Sequence, residues 1–343
     1  MKTTIYQLKD MQRKTTAEHL KQVIDQGGLI VFPTETVYGI GANAFDPAAA
    51  EKIYRVKGRP KDNPLIVHID HLHQLKRLTK TISDEAKRLI QAFWPGPLTL
   101  VFQKTNEVPK TITGNLDTVA VRFPANAIAQ HVIGVVKTPL CAPSANISGK
   151  PSSTLFEHVK KDLEGKVDII IDGGKSTIGL ESTVLDLTTS PPTILRPGSV
   201  TKAMIEAVLE KPIDDASEVY QIAPRSPGMK YTHYKPQGDI VLLEGPTQKI
   251  IDVMNQAALE EGDRCAFICA HEVSEKLIGQ NVFDLGSIND PETIASNLFI
   301  ALRTMDDLNI TTIYMHTFSK THIGSAIMNR LLKAAGYKVV KVA

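Results

Sequence analysis

The chain has only three cysteines in 343 residues, Cys141, Cys265 and Cys269, and they offer neither a disulfide framework nor a paired metal-ligand spacing. Two of them sit in apolar strand-like runs, where cysteine acts as a small hydrophobe. That usage suits a reducing cytoplasm, which is the expected location. No apolar run nears the roughly 18 residues needed to span a bilayer, so no membrane contact is expected. The first residues, MKTTIYQLKDMQRK, hold neither an apolar core nor a small-residue cleavage site, and do not read as a secretory signal. Aromatic residues make up 6% of the chain, with Trp94 the only tryptophan, which leaves no stacking platform for nucleic acid beside the basic stretches. GxSxG, HExxH and CxxC are absent. DGGKST (172–177) resembles the end of a phosphate-binding P-loop, but Ile169 stands where that motif needs glycine. Covalent catalysis and a protein-ligated catalytic metal therefore lack support.

Net charge is only +2, yet it divides unevenly. Residues 1–240 carry 30 Lys and Arg against 25 Asp and Glu, and residues 241–343 carry 9 against 12. A weakly basic front part fits anionic small molecules, and is too mild to argue for nucleic acid by itself. The length exceeds what one core usually supports, so two domains are expected.

Apolar spacing predicts a helix from Thr16 to Gly27, capped by Thr15 or Thr16. A second helix runs from Pro47 to Val56, and a third from Ser83 to Phe93, with Ser83 as its cap. LIVF (29–32), PLIVHI (64–69), LTLVFQK (98–104), TVAVRFP (118–124), VDIIID (167–172), STVLDL (182–187) and TILRPG (193–198) read as strands. Strands and helices mix without strict alternation, which argues for α+β and a twisted mixed sheet over residues 1–209. Residues 210–238 are rich in Pro, Gly, Asp and Ser with no period, and read as a linker. From 239 to 343 strand and helix alternate in units of roughly 30 residues, as in a small parallel sheet with helices on both faces. Its first strand, IVLLEG, is followed by PTQK rather than a G-x-G-x-x-G turn, so no dinucleotide fingerprint is present.

Four stretches are odd for pure scaffold. In PTETVYGIGANA (33–44), threonines 34 and 36 follow a buried strand, and glycines 39 and 41 would let backbone N–H groups approach a ligand. KGRPKDNP (57–64) gathers Lys57, Arg59 and Lys61 before a strand; the planar fork of Arg59 suits phosphate, while Lys57 acts as a point charge. Asn63, before Pro64, is pushed toward an extended conformation that aims its amide at the same floor. CAPSANISGKPSST (141–154) supplies Ser144, Asn146 and Ser152 at the end of an apolar run. GLESTVLDL and ILRPG (179–198) bring Ser182 and Arg196, an arginine that is costly in a core unless an anion or carboxylate meets it.

Taken in order, PTETVYG, KGRPKDNPLIVHI, WPGPLTLV, VAVRFP, PSANISG, GLESTV, ILRPG and SPGMKYTHYKP resemble the threonylcarbamoyl-AMP synthase family, the YrdC-like fold in its long form with a C-terminal extension domain. The likeness spans nearly all of residues 15–238, and its K-x-R (Lys57, Arg59) and S-x-N (Ser144, Asn146) pairs are intact. It implies a YrdC-like catalytic domain (1–209), a linker that serves as a lid (210–238) and a Rossmann-like C-terminal domain (239–343). It implies synthesis of threonylcarbamoyl-AMP and pyrophosphate from L-threonine, bicarbonate or CO2, and ATP, with magnesium brought in by ATP. The product would pass to a tRNA threonylcarbamoyl transferase, with at most a weak tRNA contact by this chain.

Carried over by motif, Lys57 and Arg59 are the catalytic cations. Thr36, His68, Arg122, the Ala142 backbone and Ser182 hold threonine, with Arg122 facing its carboxylate. Arg59, Asn63, Thr118, Ser144, Asn146, Ser152, Arg196 and Tyr234 surround ATP, Tyr231 being the alternative to Tyr234. The rival reading from another class is a non-catalytic RNA-binding YrdC-like module. A carbamoyl-transferring relative is embedded in longer chains with zinc fingers, whose ligand pattern is missing here.

Overall fold

The computed structural model describes residues 1–217 and 234–343. The described residues form two compact units: one of residues 1–148, 152–177 and 181–217, the other of residues 149–151, 178–180 and 234–343.

In the first unit β1 (Thr4–Gln7), β2 (Ile30–Phe32), β3 (Gly39–Asn43), β4 (Ile66–His68), β5 (Leu98–Gln103), β6 (Thr118–Arg122), β7 (Leu140–Cys141), β8 (Ile169–Asp172), β9 (Thr183–Asp186), β10 (Thr193–Arg196) and β11 (Asp214–Asp215) make one mixed sheet. Its order is β1-β8-β2-β3-β7-β4-β6-β5-β9-β10-β11. Parallel and antiparallel pairs alternate irregularly along it, which is the α+β twisted sheet expected. Strand β11 falls in the stretch read as linker and pairs with β10.

Alternation along each strand separates two faces. Val67, Leu100, Val121, Leu185 and Ile194 point into the main core. On the other face, Ile30, Phe32, Ile169 and Ile171 are covered by the helices Lys14–Asp25 and Ala127–Val136. That cover does not extend over β4, β6, β5, β9 and β10, where the apolar set shrinks to Ile66, Val101, Ala120, Val184 and Leu195. His68, Thr99, Arg122 and Arg196 share this stretch of sheet and are buried with it, and this is where the site lies.

Local signals explain the main helices. Asp46 caps Pro47–Lys57 by accepting from the amides of Ala48 and Ala49, and Gly58 ends it at φ 62°, a left-handed position that favours glycine. Ser83 caps Asp84–Phe93 as expected. The first helix instead starts at Lys14, with Arg13 in the cap position and no side-chain cap bond, so neither Thr15 nor Thr16 plays that part.

In the second unit β12 (Asp239–Glu244), β13 (Cys265–Cys269), β14 (Val282–Asp284), β15 (Thr312–His316) and β16 (Val339–Lys341) form an all-parallel sheet in the order β14-β13-β15-β12-β16. The helices Thr247–Glu261, Pro291–Asp307 and Gly324–Ala334 lie between successive strands, in the α/β pattern that the sequence predicts. Tyr234 is buried in this unit, its ring stacked on Phe299 with centroids 5.2 Å apart. Tyr231 and residues 218–233 of the segment expected to serve as a lid lie outside the described residues.

Candidate active site

Strand register builds the site. His68 on β4 pairs with Arg122 on β6, Arg122 with Thr99 on β5, Thr99 with Val184 on β9, and Val184 with Arg196 on β10. Neighbouring strands lie about 4.8 Å apart, so these residues form one row across this face. Arg196 joins it through a bulge. The register shifts between Ile194 and Arg196, which leaves Leu195 as an extra residue and turns Arg196 away from the core. Its Nε then donates to the Ser182 carbonyl at 3.1 Å and its Nη2 to Ser182 Oγ at 3.2 Å. Ser182 Oγ also meets Thr99 Oγ1 at 2.7 Å.

Arg122, almost fully buried, is held on three sides. Nε donates to the Gly96 carbonyl at 3.2 Å, Nη1 to Thr36 Oγ1 at 2.7 Å, and Nη2 forms an ion pair with Glu35 Oε1 at 2.5 Å. Burial would raise the Glu35 carboxyl, but the Arg122 charge and hydrogen bonds outweigh it and hold the group below its ordinary range. The Thr34 hydroxyl is spent on the Val37 carbonyl at 2.6 Å, so the 2.9 Å contact between Thr34 and Thr36 has Thr36 as donor. A further partner of Thr36 must therefore be a donor.

His68 is neutral. Burial first, and the Arg122 charge second, push its pKa down to about 3. Its Nδ1 lies 3.2 Å from the Ile66 carbonyl and donates to it, which leaves Nε2 as an acceptor. The Ala142 N–H donates to the same Ile66 carbonyl at 2.8 Å, so only the Ala142 carbonyl could meet a ligand.

The basic arm reaches this region from the end of the helix Pro47–Lys57. Lys57 is 1% exposed, and its Nζ donates to the carbonyls of Ser144 and Asn146 and lies 3.4 Å from Asn146 Oδ1. Its charge is thus spent at least partly on shaping the S-x-N loop, a task that the reading of Lys57 as a point charge for phosphate did not include. Ser144 Oγ donates to Asn146 Oδ1 at 2.6 Å, and Ser152 Oγ to Glu181 Oε1 at 2.5 Å. Arg59 grips its own loop, through Nε to the Asn63 carbonyl at 3.1 Å and Nη2 to Asn63 Oδ1 at 2.6 Å. The Asn63 amide is thereby oriented, yet its Nδ2 is buried without a hydrogen-bond partner among the described residues. A buried donor left open is costly unless a ligand meets it.

Thr118 begins β6, on the same face as Arg122 and about 13 Å from it. Lys61 is exposed and pairs with Glu51, so it does not add to the floor. The structure also assigns Gly41 a different role from the one expected: a Cβ there would come within 2.7 Å of the Phe32 ring, so the glycine makes room for packing. Sequence reasoning passed over Glu35 and Thr99. Their signal was faint: an acid between two threonines after a buried strand, and a lone hydroxyl inside the run LTLVF.

A family profile described as "Telomere recombination" (Sua5, YciO and YrdC) matches residues 22–198, and one described as "Threonylcarbamoyl-AMP synthase, C-terminal domain" matches residues 200–336. The chain is 46% identical over 332 residues to the threonylcarbamoyl-AMP synthase of Pyrococcus abyssi, which covers 93% of this chain and 94% of that one. It is 42% identical to the Bacillus subtilis enzyme of the same name, over 93% and 92% of the two chains. Among solved structures, P. abyssi Sua5 complexed with L-threonine superposes with a TM-score of 0.91 at 44% identity, covering 100% of both chains. With both profiles and full-length relatives in agreement, this chain belongs to the threonylcarbamoyl-AMP synthase family, in its long form with a C-terminal domain.

Proposed function

We propose that the site condenses L-threonine, bicarbonate-derived CO2 and ATP into threonylcarbamoyl-AMP and pyrophosphate. The threonine amine adds to CO2 and loses a proton, giving a carbamate. A carbamate oxygen attacks the α-phosphorus, the bond to the bridging oxygen breaks, and pyrophosphate leaves with the electron pair. No side-chain nucleophile is needed. The protein gathers anions in one orientation and meets charge as it builds on the leaving group.

The observation that carries this reading is the tie from Lys57 to Ser144 and Asn146, which brings two distant polar segments together in one unit with the row His68, Arg122, Thr99 and Arg196. Arg122 takes the threonine carboxylate. Thr36 and His68 Nε2 accept from the amine or the β-hydroxyl, and Ser182 and the Ala142 carbonyl complete that end. Arg59, Asn63, Thr118, Ser144, Asn146, Ser152 and Arg196 receive the nucleotide. Magnesium would come in with ATP, held mainly by its phosphates and water. The product is a reactive mixed anhydride, which suits direct use by a tRNA threonylcarbamoyl transferase in the cytoplasm, with only weak tRNA contact by this chain.

The test is pyrophosphate release by the purified chain, with the product identified by mass. Release that requires threonine, bicarbonate and ATP together is expected; release indifferent to threonine sinks the reading.

A further inference from the structure

Before any substrate arrives, Arg122 donates from Nε to Gly96 and from Nη1 to Thr36, and Nη2 faces Glu35 Oε1 as an ion pair at 2.5 Å. An incoming carboxylate would use the N–H groups that remain. That carboxylate must bind the same guanidinium as Glu35, in surroundings where Arg122 is 3% and Glu35 9% exposed. Coulomb interactions there are little screened, so the entering group feels Arg122 and Glu35 almost as a neutral pair. Glu35 does not swing aside freely. The Asn126 amide, at the start of the helix Ala127–Val136, reaches Glu35 Oε2 at 3.4 Å, and Thr177 Oγ1 reaches the Glu35 carbonyl at 3.4 Å.

We propose that Glu35 is an internal competitor for Arg122: it holds the guanidinium while the amino-acid end is empty, and by its charge weakens the grip on any carboxylate that binds there. The inference rests on the reading of Arg122 as the threonine carboxylate's partner. It has a purpose in that reaction. Threonylcarbamoyl-AMP still carries the threonine carboxylate, so whatever tightens threonine also slows release of the product. Without Glu35 the empty site would hold an uncompensated buried cation, which destabilises a protein strongly. Glu35 acts through Arg122 and is therefore a positioning residue.

The test compares Glu35→Gln with the wild-type chain. Glutamine keeps an oxygen for Arg122 and removes the charge. The expected result is a KM for threonine about tenfold lower with a reduced kcat, while the KM for ATP moves less than twofold. Threoninamide, in which a neutral amide replaces the carboxylate, should inhibit both forms with the same constant. Glu35→Asp, which keeps the charge for folding but lengthens the pair, should shift the threonine KM the same way by about threefold, and is the variant read if the glutamine form does not fold. An unchanged or raised threonine KM in the variant read, or a threoninamide constant that moves in parallel, overturns the proposal. Arg122→Lys separates the two levels of argument. A wild-type threonine KM in that variant overturns both the carboxylate reading and this proposal. A raised KM there, beside an unchanged one in the Glu35 variants, overturns this proposal alone.

Discussion

Lys57 and Asn146, separated by 89 positions in the chain, are joined by the lysine ammonium, which donates to the asparagine carbonyl and, two residues earlier, to that of Ser144. A buried cation thus fixes the shape of a polar loop. In return, the backbone amide of Ser148 donates to the Lys57 carbonyl at 2.9 Å.

Lys57→Met should therefore act on both stability and turnover. Two loop carbonyls lose their charged donor, at a cost of about 3 kcal/mol. Thermal denaturation should show a lower Tm, and pyrophosphate release should fall at least a hundredfold. A stable, inactive variant would mean that Lys57 serves the substrate alone and not the loop.

Asn63 offers a more selective probe. Its open amide nitrogen gains a partner only when a ligand is present, on the reading above. Asn63→Ala also removes the oxygen that accepts from Arg59, so it should cost the ligand-free chain about 2 kcal/mol of stability and, beyond that, remove most of the stabilisation that ATP confers. Equal stabilisation of both forms by ATP would remove Asn63 from the nucleotide site.

His68 makes acid sensitivity predictable. The unfolded chain binds a proton at this residue near 6.5, whereas the folded protein resists protonation there until about 3. Between those values the unfolded state holds more protons, so stability is full above the upper value and falls as the pH drops. The limiting slope is about 1.4 kcal/mol per pH unit. Urea denaturation at pH 7, 6 and 5 should show this loss in the wild type and a shallower one in His68→Asn. Coincident slopes would show that His68 is not held neutral.

Gly58 ends the helix that delivers Lys57 and Arg59, at a positive φ with open space around its Cα. Gly58→Ala should cost about 1 kcal/mol from backbone strain alone, and Gly58→Asn distinctly less, since asparagine tolerates the left-handed region. Denaturation midpoints check this, and equal losses in the two variants would refute the backbone explanation.

The sequence alone was enough for much of this molecule. Apolar strand-like runs marked β5, β6 and β9, Pro47 and Ser83 marked helix starts, and the regular alternation after residue 238 marked a parallel sheet, because each of these signals is local. Arg59, Ser144 and Arg196 were legible too, as polar groups beside strands with no scaffold role to explain them, and Arg122 through the family resemblance of its motif. Only the tertiary structure decided what their side chains touch. The two-residue strand β11 carries too little pattern to be read, and exists because β10 supplies its hydrogen bonds. Glu35 became an ion pair only because β6 brings Arg122 against it, and Lys57 became the brace of a loop far along the chain. Periodicity reports which face a residue shares with its near neighbours, whereas a partner many residues away is chosen by sheet order and register, which no short window of residues contains.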